Sequence, residues 1–565
     1  MNIVVQDLSG TERTQVTRRH SDVAKYFWAN DNRLLFFAQQ DGHYGLFSVN
    51  RTGEDLREMT PEPQARIRLI DELVNQPDEI LIGMNIRDES VFDVYRMNIN
   101  TGDYKLVAEN PGNIAYWKTD HKGRVRVAIA TDGVNESLLH RKDESAPWET
   151  VITTNFKVTL FPLFFTFDNK SIYACSNLGR DKCAIVVLDV ETGKEIDTVF
   201  SHPEVDVMDL YFSKRRKELL FAEYSTWKSE AHFLDPHARR FREYLKEEIG
   251  DIDIEFVGTD LAETKLLFRT FDDKSLGAYY LYDFKIDSLR KLSEVSPWLN
   301  ADAMSAMKPI TYYSRDSFEI HGYLTLPKGS SGKNLPTVII PHSGLFLGRT
   351  HWGFNPEIQF LANRGYAVLV INNRGTTGYG RKFWEASFKQ WGGDVHNDIV
   401  DGANWLMDQG ISEKGRIAIY GKNFSGFSAV KAISDNPEIF ACGINYSGPI
   451  NLFTYMRELP PYWQPYLNMM YEIVGHPEKD AEMFKNISPI FKTEKINRPL
   501  MIALGEKDPH VSVTESNRFV KHLKKREIPV TYVVKKDEGR SFRKEENKIE
   551  LYRTMESFLQ QHLPR

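Results

Sequence analysis

The chain is poor in cysteine and has no long hydrophobic run. Its 565 residues include three cysteines, which cannot supply a disulfide framework, so free thiols in a reducing compartment are expected. No apolar stretch approaches the roughly 18 residues that a transmembrane helix needs. Residues 1–19 are polar and show none of the apolar core of a signal peptide. We therefore expect a cytoplasmic protein without a membrane segment.

An excess of positive charge is also absent. The formal net charge is −6 and 27% of the residues are charged, which leaves no basic surface for nucleic acid or an anionic membrane. No motif for a cofactor or a metal stands out, so neither is expected. The hydrophobic content of 41% is ordinary for a globular protein, and the length predicts two or three domains.

A β-rich unit recurs in the first part of the chain at about the 40–50-residue spacing of propeller blades. Three clear copies begin near Asp31, Asp78 and Asp168, and each ends in a Thr-Gly turn. Weaker copies lie within 125–141, 218–235 and 265–283. These six units and a strand pair within 2–17 predict a β-propeller of seven blades with the first incomplete. A six-bladed ring with a loose N-terminal strand is the alternative.

The pattern changes after about Met307, where apolar strands alternate with helical stretches. The strand candidates are 337–341, 366–372, 416–420, 441–446 and 500–504, and the helix candidates are 356–364, 395–409 and 514–525. Such alternation predicts a mainly parallel sheet with helices on both faces. We therefore divide the chain into a propeller, 1–306, and an α/β domain, 307–565.

The segment 416–434 has the layout of a nucleophile elbow, G-x-S-x-G, but lacks the serine. Its apolar strand stops at Gly421, and a helical pattern is clear from Ala429 onwards. In this register Asn423 occupies the position of the nucleophile and Ser425 that of the second glycine. A carboxamide has no proton whose loss would leave a useful nucleophile near neutral pH.

Several further motifs occur in a fixed order and resemble the prolyl oligopeptidase family of serine peptidases. They include Trp352-Gly353-Phe354, Asn373-Arg374-Gly375, Thr377-Gly378-Tyr379-Gly380, Asn445-Tyr446-Ser447-Gly448, Gly505-Glu506-Lys507-Asp508 and Asp537-Glu538-Gly539. The resemblance implies an N-terminal propeller, a C-terminal α/β-hydrolase domain and a Ser-Asp-His triad. By these motifs the triad positions hold Asn423, Asp508 and Arg540.

The resemblance also implies that the catalytic groups are altered. Arginine stays protonated and cannot act as a general base, so nucleophile and base are replaced while the acid Asp508 is retained. The family's oxyanion loop, His-Gly-Gly-Pro, reads His342-Ser343-Gly344-Leu345. The tyrosine that follows the family's serine becomes Phe424, which has no hydroxyl to donate.

Alternatives stay open at several of these residues. Tyr462 and Trp463 fall in an insertion that lines the substrate pocket in that family, although core packing is as good an interpretation. His342 and Ser425 are expected in structural roles, and Arg374 is expected in an ion pair rather than on a ligand.

Arg540 is predicted to form an ion pair with Asp508, because an unpaired buried carboxylate is costly.

Together the replacements predict a catalytically degenerate family member, a pseudoenzyme that binds a peptide or a protein between its domains. The alternative is an active serine-type hydrolase. No nucleic-acid or membrane partner is expected, and the oligomeric state stays open. Because members of that family are often exported, a truncated N-terminus is the alternative to a cytoplasmic protein.

Overall fold

The computed structural model describes residues 2–8, 10, 12–19, 23–40, 43–344, 348–459, 463 and 466–565. Within these residues, no helix combines the length and the apolar character needed to cross a membrane. The chain divides into two compact units, the first made of Met1–Leu178 and Ile185–Val199 and the second of Gly179–Ala184 and Phe200–Arg565.

The N-terminal half is built from short antiparallel sheets in chain order. A two-stranded ladder, β1 (Val4–Gln6) and β2 (Arg13–Gln15), comes first. Four four-stranded sheets follow: β3 (Val23–Trp28), β4 (Arg33–Gln40), β5 (His43–Asn50) and β6 (Arg57–Glu58); β7 (Ile67–Asp71), β8 (Glu79–Met84), β9 (Asp93–Asn98) and β10 (Tyr104–Ala108); β11 (Ile114–Thr119), β12 (Val125–Thr131), β13 (Asn135–His140) and β14 (Glu149–Asn155); β15 (Leu160–Phe165), β16 (Ser171–Ser176), β17 (Ala184–Asp189) and β18 (Glu195–Phe200).

Two further sheets of the same kind belong to the second unit. They are the three-stranded β19 (Val207–Ser213), β20 (Glu218–Ser225) and β21 (Ser229–Phe233), and the four-stranded β22 (Asp253–Thr259), β23 (Lys265–Phe271), β24 (Ala278–Asp283) and β25 (Ser288–Glu294). The helix α1 (Pro236–Ile249) joins them, and Asp235 caps its first turn.

These six sheets confirm the predicted β-propeller. Ile3 and Val16, which flank the β1–β2 ladder, pack on Leu34, Phe36 and Val49 of the first four-stranded sheet. The ladder thus packs on that sheet as an incomplete first blade would.

The C-terminal half forms one eight-stranded sheet with the order β26-β27-β29-β28-β30-β31-β32-β33. Its strands are β26 (Met307–Tyr313), β27 (Glu319–Thr325), β28 (Thr337–Pro341), β29 (Ala367–Asn372), β30 (Ile417–Lys422), β31 (Phe440–Tyr446), β32 (Leu500–Gly505) and β33 (Val530–Lys535). The strands β26, β27 and β29 pair antiparallel, and β28 to β33 otherwise pair parallel. This is the predicted α/β-hydrolase sheet.

Helices cover both faces of this sheet. They are α2 (Pro356–Asn363), α3 (Arg381–Glu385), α4 (Asp394–Asp408), α5 (Phe424–Asp435), α6 (Leu452–Arg457), α7 (Leu467–Ile473), α8 (Ala481–Ile487), α9 (Val513–Lys525) and α10 (Glu545–His562). Apolar side chains of α4, α5 and α9 pack on one face, and those of α2 and α10 pack on the other. The two layers bury nearly every side chain of β29, β30 and β32.

The domain boundary between 306 and 307 stays a prediction, although it falls between the last propeller strand and β26. Within the second unit, polar contacts join the β19–β21 sheet and the residue before it to the hydrolase domain. Tyr323 Oη donates to the Trp227 carbonyl at 2.7 Å, and the Gly380 N–H donates to Asp206 Oδ2 at 3.0 Å.

Candidate functional site

The turn between β30 and α5 has the backbone of a nucleophile elbow. Asn423 occupies the N-cap position of α5 with φ 51° and ψ −121°, a positive-φ conformation that L-residues rarely adopt. The turn is tight, since a Cβ added to Gly421 would lie 1.9 Å from the Ser425 carbonyl oxygen. The helix begins at Phe424, earlier than the pattern from Ala429 indicated, because Ser425, Gly426 and Ser428 interrupt the apolar period.

The two polar neighbours of Asn423 are held in structural contacts. Ser425 is fully buried, and its Oγ donates to the Lys422 carbonyl and accepts the Lys422 N–H, both at 3.0 Å. The Lys422 ammonium forms an ion pair with Glu357, whose Oε1 also accepts from Tyr552 Oη at 2.5 Å. The hydroxyl of Ser425 is therefore committed to the turn, as predicted.

Phe424 packs inwards and does not present a polar group to the site. Its ring lies against Trp391, with centroids 3.4 Å apart, and stacks on Phe427 at 5.8 Å. Only 8% of Phe424 is exposed. The position that carries a donor hydroxyl in some family members is thus part of the apolar layer under the elbow.

Asp508 lies in the loop after β32, two strands away from β30 in the sheet. Its Oδ1 accepts the His510 N–H at 2.9 Å, while its Oδ2 is buried without a hydrogen-bond partner. Burial raises the pKa of Asp508, opposed by the His510 N–H and the charge of Arg540. One acceptor atom of this carboxylate is therefore unpaired among the described residues.

The loop between β33 and α10 places Arg540 at this edge of the sheet. Glu538 holds the loop, because its carboxylate accepts the N–H groups of Arg543 and Lys544 at 2.8 and 2.9 Å and the Asn547 amide at 2.7 Å. Burial opposes these donors, but together they keep the pKa of Glu538 below its usual value. The loop also bonds to the acid loop, since the Lys507 N–H donates to the Glu538 carbonyl at 2.9 Å.

The predicted ion pair between Arg540 and Asp508 is wrong. Arg540 Nε donates to Asn423 Oδ1 at 2.8 Å, and no ion pair joins Arg540 to Asp508 in the described part of the chain. A carboxamide oxygen is a good acceptor for a guanidinium, so the replacement at the base position contacts the replacement at the nucleophile position. The two altered residues form one contact, and the retained acid stays beside it.

The altered oxyanion loop begins at the end of β28. His342 is buried and its N–H donates to the Ile371 carbonyl at 2.9 Å. Ser343 and Gly344 follow it at the same sheet edge as Asn423, because β28 and β30 are parallel neighbours. Leu345 lies outside the described residues.

The predicted aromatic pocket is described only in part. Trp463 is half-buried and its ring packs edge-on against Tyr466, with centroids 6.2 Å apart. Tyr462 lies outside the described residues, so the pocket role of this pair stays a prediction.

His510 is a site residue that the sequence reasoning missed. Its ring lies 6.4 Å from Tyr455, and its Nδ1 is buried without a partner. Burial and the charge of Arg540 lower the pKa of His510 to about 4, so the ring is neutral at pH 7. An Asp often accepts the backbone N–H two residues on, and that local rule would have placed His510 beside the acid.

Arg374 forms the structural ion pair that was predicted. Its guanidinium is 4% exposed and pairs with Asp398 at 2.7 Å and with Asp316 at 2.9 Å. Because both partners belong to the hydrolase domain itself, Arg374 is not available to a ligand carboxylate.

The chain combines a propeller with a hydrolase sheet. The sheet carries an elbow after β30, an acid loop after β32 and a third loop after β33. This arrangement is that of a two-domain α/β-hydrolase. Residues 352–565 match the model of the prolyl oligopeptidase family. The C-terminal domain belongs to the prolyl oligopeptidase family.

Two curated relatives cover most of the chain. It is 29% identical to "Dipeptidyl aminopeptidase BIII" of Pseudoxanthomonas mexicana over 97% of this chain and 81% of the relative. It is 27% identical to "Dipeptidyl peptidase family member 6" of Caenorhabditis elegans over 86% and 70%. Among solved structures, that of puromycin hydrolase superposes with a TM-score of 0.78 over 99% of this chain and 90% of that chain. The identity of 15% limits that likeness to the fold.

Proposed function

We propose that this chain is a non-catalytic member of its family that binds a peptide or a partner protein at the elbow. The observation that carries the proposal is the hydrogen bond from Arg540 Nε to Asn423 Oδ1. It links the residues at the positions of the base and the nucleophile, and neither group can do the chemistry of the residue it replaces.

Retention of the site's framework supports binding rather than decay. The turn at Asn423 keeps its positive φ, and four hydrogen bonds hold the loop that carries Arg540. Buried polar groups are expensive unless they are paired, so such a framework indicates selection for a defined site.

An active serine-type hydrolase is the second candidate. The curated relatives are named as peptidases, and Asp508 keeps an open acceptor oxygen. Against it, loss of a triad nucleophile or base lowers kcat by a factor on the order of 10⁴–10⁶.

Labelling with a fluorophosphonate probe and hydrolysis of dipeptidyl p-nitroanilides test the proposal. The unmodified chain should neither label nor turn over. The double variant Asn423→Ser with Arg540→His should do both, because it restores a nucleophile and a general base at the positions of the triad while Asp508 is retained. The matched control, Asn423→Ala with Arg540→His, should show neither labelling nor hydrolysis. Turnover by the unmodified chain would overturn the proposal.

The reducing compartment expected from the cysteines is part of the proposal. Cys175, Cys183 and Cys442 are buried, and no disulfide is given for them among the described residues; reduced thiols persist in the cytoplasm. Fractionation of cells that express the native gene, followed by immunodetection, tests this placement.

A further inference from the structure

The guanidinium of Arg540 has donors that the elbow does not use. A guanidinium carries five N–H donors, and the hydrogen bond to Asn423 takes only Nε. Among the described residues, neither Nη atom has a hydrogen bond or an ion pair. The side chain of Arg540 is partly exposed.

Asn423 contributes a further donor at the same place. Arginine has no acceptor atom, so the amide must present Oδ1 to Nε. Its Nδ2 lies beside the guanidinium and donates to none of the described residues. The N–H of Phe424, the first residue of α5, has no acceptor within its own helix. The elbow therefore brings several donors and one positive charge together.

Nearby acidic groups do not neutralise this charge by direct pairing. Glu357 is held by the Lys422 ammonium, and Glu538 by backbone N–H groups and the Asn547 amide. Burial raises the pKa of Asp508 and the Arg540 charge lowers it, but this carboxylate forms no ion pair with Arg540 in the described part of the chain. His510 adds no positive charge, because its ring is neutral at pH 7. The Nη donors of Arg540 therefore lack a paired carboxylate among the described residues.

We propose that Arg540 and Asn423 bind a carboxylate, and that this carboxylate is the free C-terminus of a peptide. The inference rests on the proposed function, in which the elbow binds a peptide without cleaving it. A carboxylate accepts two parallel hydrogen bonds from the edge of a guanidinium. A peptide that continues through the elbow presents a neutral amide and would desolvate the guanidinium without an ion pair. The base-to-arginine replacement thus favours peptides that end at the elbow.

Paired peptides test this specificity. Fluorescein-labelled Ala-Ala-Xaa-Xaa tetrapeptides, each pool made as the free acid and as the C-terminal amide, are titrated with the protein by fluorescence polarisation. We expect the acids to bind at least tenfold more tightly than the amides, and the ratio to fall as salt rises, because the guanidinium is partly exposed.

Variants assign the preference to Arg540. Arg540→Gln should remove the acid-to-amide ratio, whereas Arg540→Lys should keep part of it, since lysine supplies the charge without the bidentate edge. The matched control is Lys536→Gln, which removes an exposed positive charge from the same loop and should leave the ratio unchanged. Thermal unfolding of each variant checks that the fold is retained.

The possible outcomes distinguish failure of the carboxylate site from failure of the proposed function. Equal binding of acids and amides by the native chain, or a ratio that survives Arg540→Gln, overturns the carboxylate site while peptide binding stands. Binding of neither form overturns the carboxylate site and the binding of peptides at the elbow. Fluorophosphonate labelling of the native chain overturns the non-catalytic function and, with it, the premise of this inference.

Discussion

At the scale of single residues, Asn423 combines a strained backbone with a contact made by its side chain. Its φ of 51° and ψ of −121° cost a non-glycine residue about 1–2 kcal/mol. Its Oδ1 accepts from Arg540 at 2.8 Å, and a hydrogen bond to a charged group contributes about 1.5–3 kcal/mol. The side-chain contact therefore offsets the strain of the turn.

Two substitutions at Asn423 separate the cost of the backbone strain from the contribution of the hydrogen bond to Arg540. Asn423→Gly and Asn423→Ala both remove the hydrogen bond to Arg540, but only alanine keeps the strain. We expect the glycine variant to be about 1 kcal/mol more stable than the alanine variant, which is the reverse of the usual order inside a helix. Urea unfolding of the two proteins measures the difference. A more stable alanine variant would contradict a strained elbow.

The sequence named candidate site residues but did not predict how they contact each other. The order of motifs identified Asn423, Asp508 and Arg540, because each follows a strand that ends at one edge of the sheet. The partner of Arg540 depends on the direction of a long side chain, which sequence spacing does not encode. The expected bond to Asp508 was wrong for that reason, and the side chain bonds to Asn423 instead.

At the scale of elements, the packing of α4 against α5 contains a buried histidine. His396 is 6% exposed, its Nε2 bonds to Asn436 Oδ1 at 2.9 Å, and its Nδ1 is buried without a partner. Burial, with a contribution from the Lys431 charge, lowers the pKa of His396 to about 4. The neutral ring is therefore the form that the helix pair accommodates.

This histidine should make stability depend on pH. The pKa of His396 is lower in the folded chain than its ordinary value of 6.5, so the unfolded chain binds more protons between these values. The stability that depends on the neutral His396 ring is fully present above pH 6.5 and is lost as the pH falls towards 4. We expect His396 to account for a loss of about 2 kcal/mol between pH 7 and pH 5.

Urea unfolding at the two pH values, with His396→Gln as the comparison, measures this contribution. Glutamine keeps a donor for Asn436 but does not titrate, so the variant should lose about 2 kcal/mol less stability over the same interval. An identical pH dependence in both proteins would show that the histidine is not responsible.

Element positions were predictable because they depend on local periodicity. The predicted strand 337–341 coincides with β28, and the predicted helices 356–364, 395–409 and 514–525 match α2, α4 and α9 within about one residue. The antiparallel addition of β26 and β27 to the edge of the sheet was not predicted, because strand order depends on contacts between residues far apart in the chain.

At the scale of the whole molecule, the compact units do not follow the boundary of the two folds. The second unit includes the last two propeller sheets and the hydrolase sheet. Asp206 is one of the residues that join them: its Oδ1 accepts the Cys183 N–H at 2.7 Å and its Oδ2 accepts the Gly380 N–H at 3.0 Å. Both N–H groups belong to buried residues, so they depend on this carboxylate.

Removing that carboxylate should destabilise the second unit as a whole. In Asp206→Ala two buried N–H groups lose their acceptor, at about 1–3 kcal/mol each, whereas Asp206→Asn keeps one acceptor and should lose about half as much. Glu204→Ala, which replaces an exposed acid two residues away, is the control and should change stability by less than about 0.5 kcal/mol.

Urea unfolding followed by tryptophan fluorescence and by far-ultraviolet circular dichroism tests the prediction. Because propeller strands and hydrolase sheet share these bonds, both signals should shift to lower urea together, and a shift confined to one signal would mean that the two folds unfold separately.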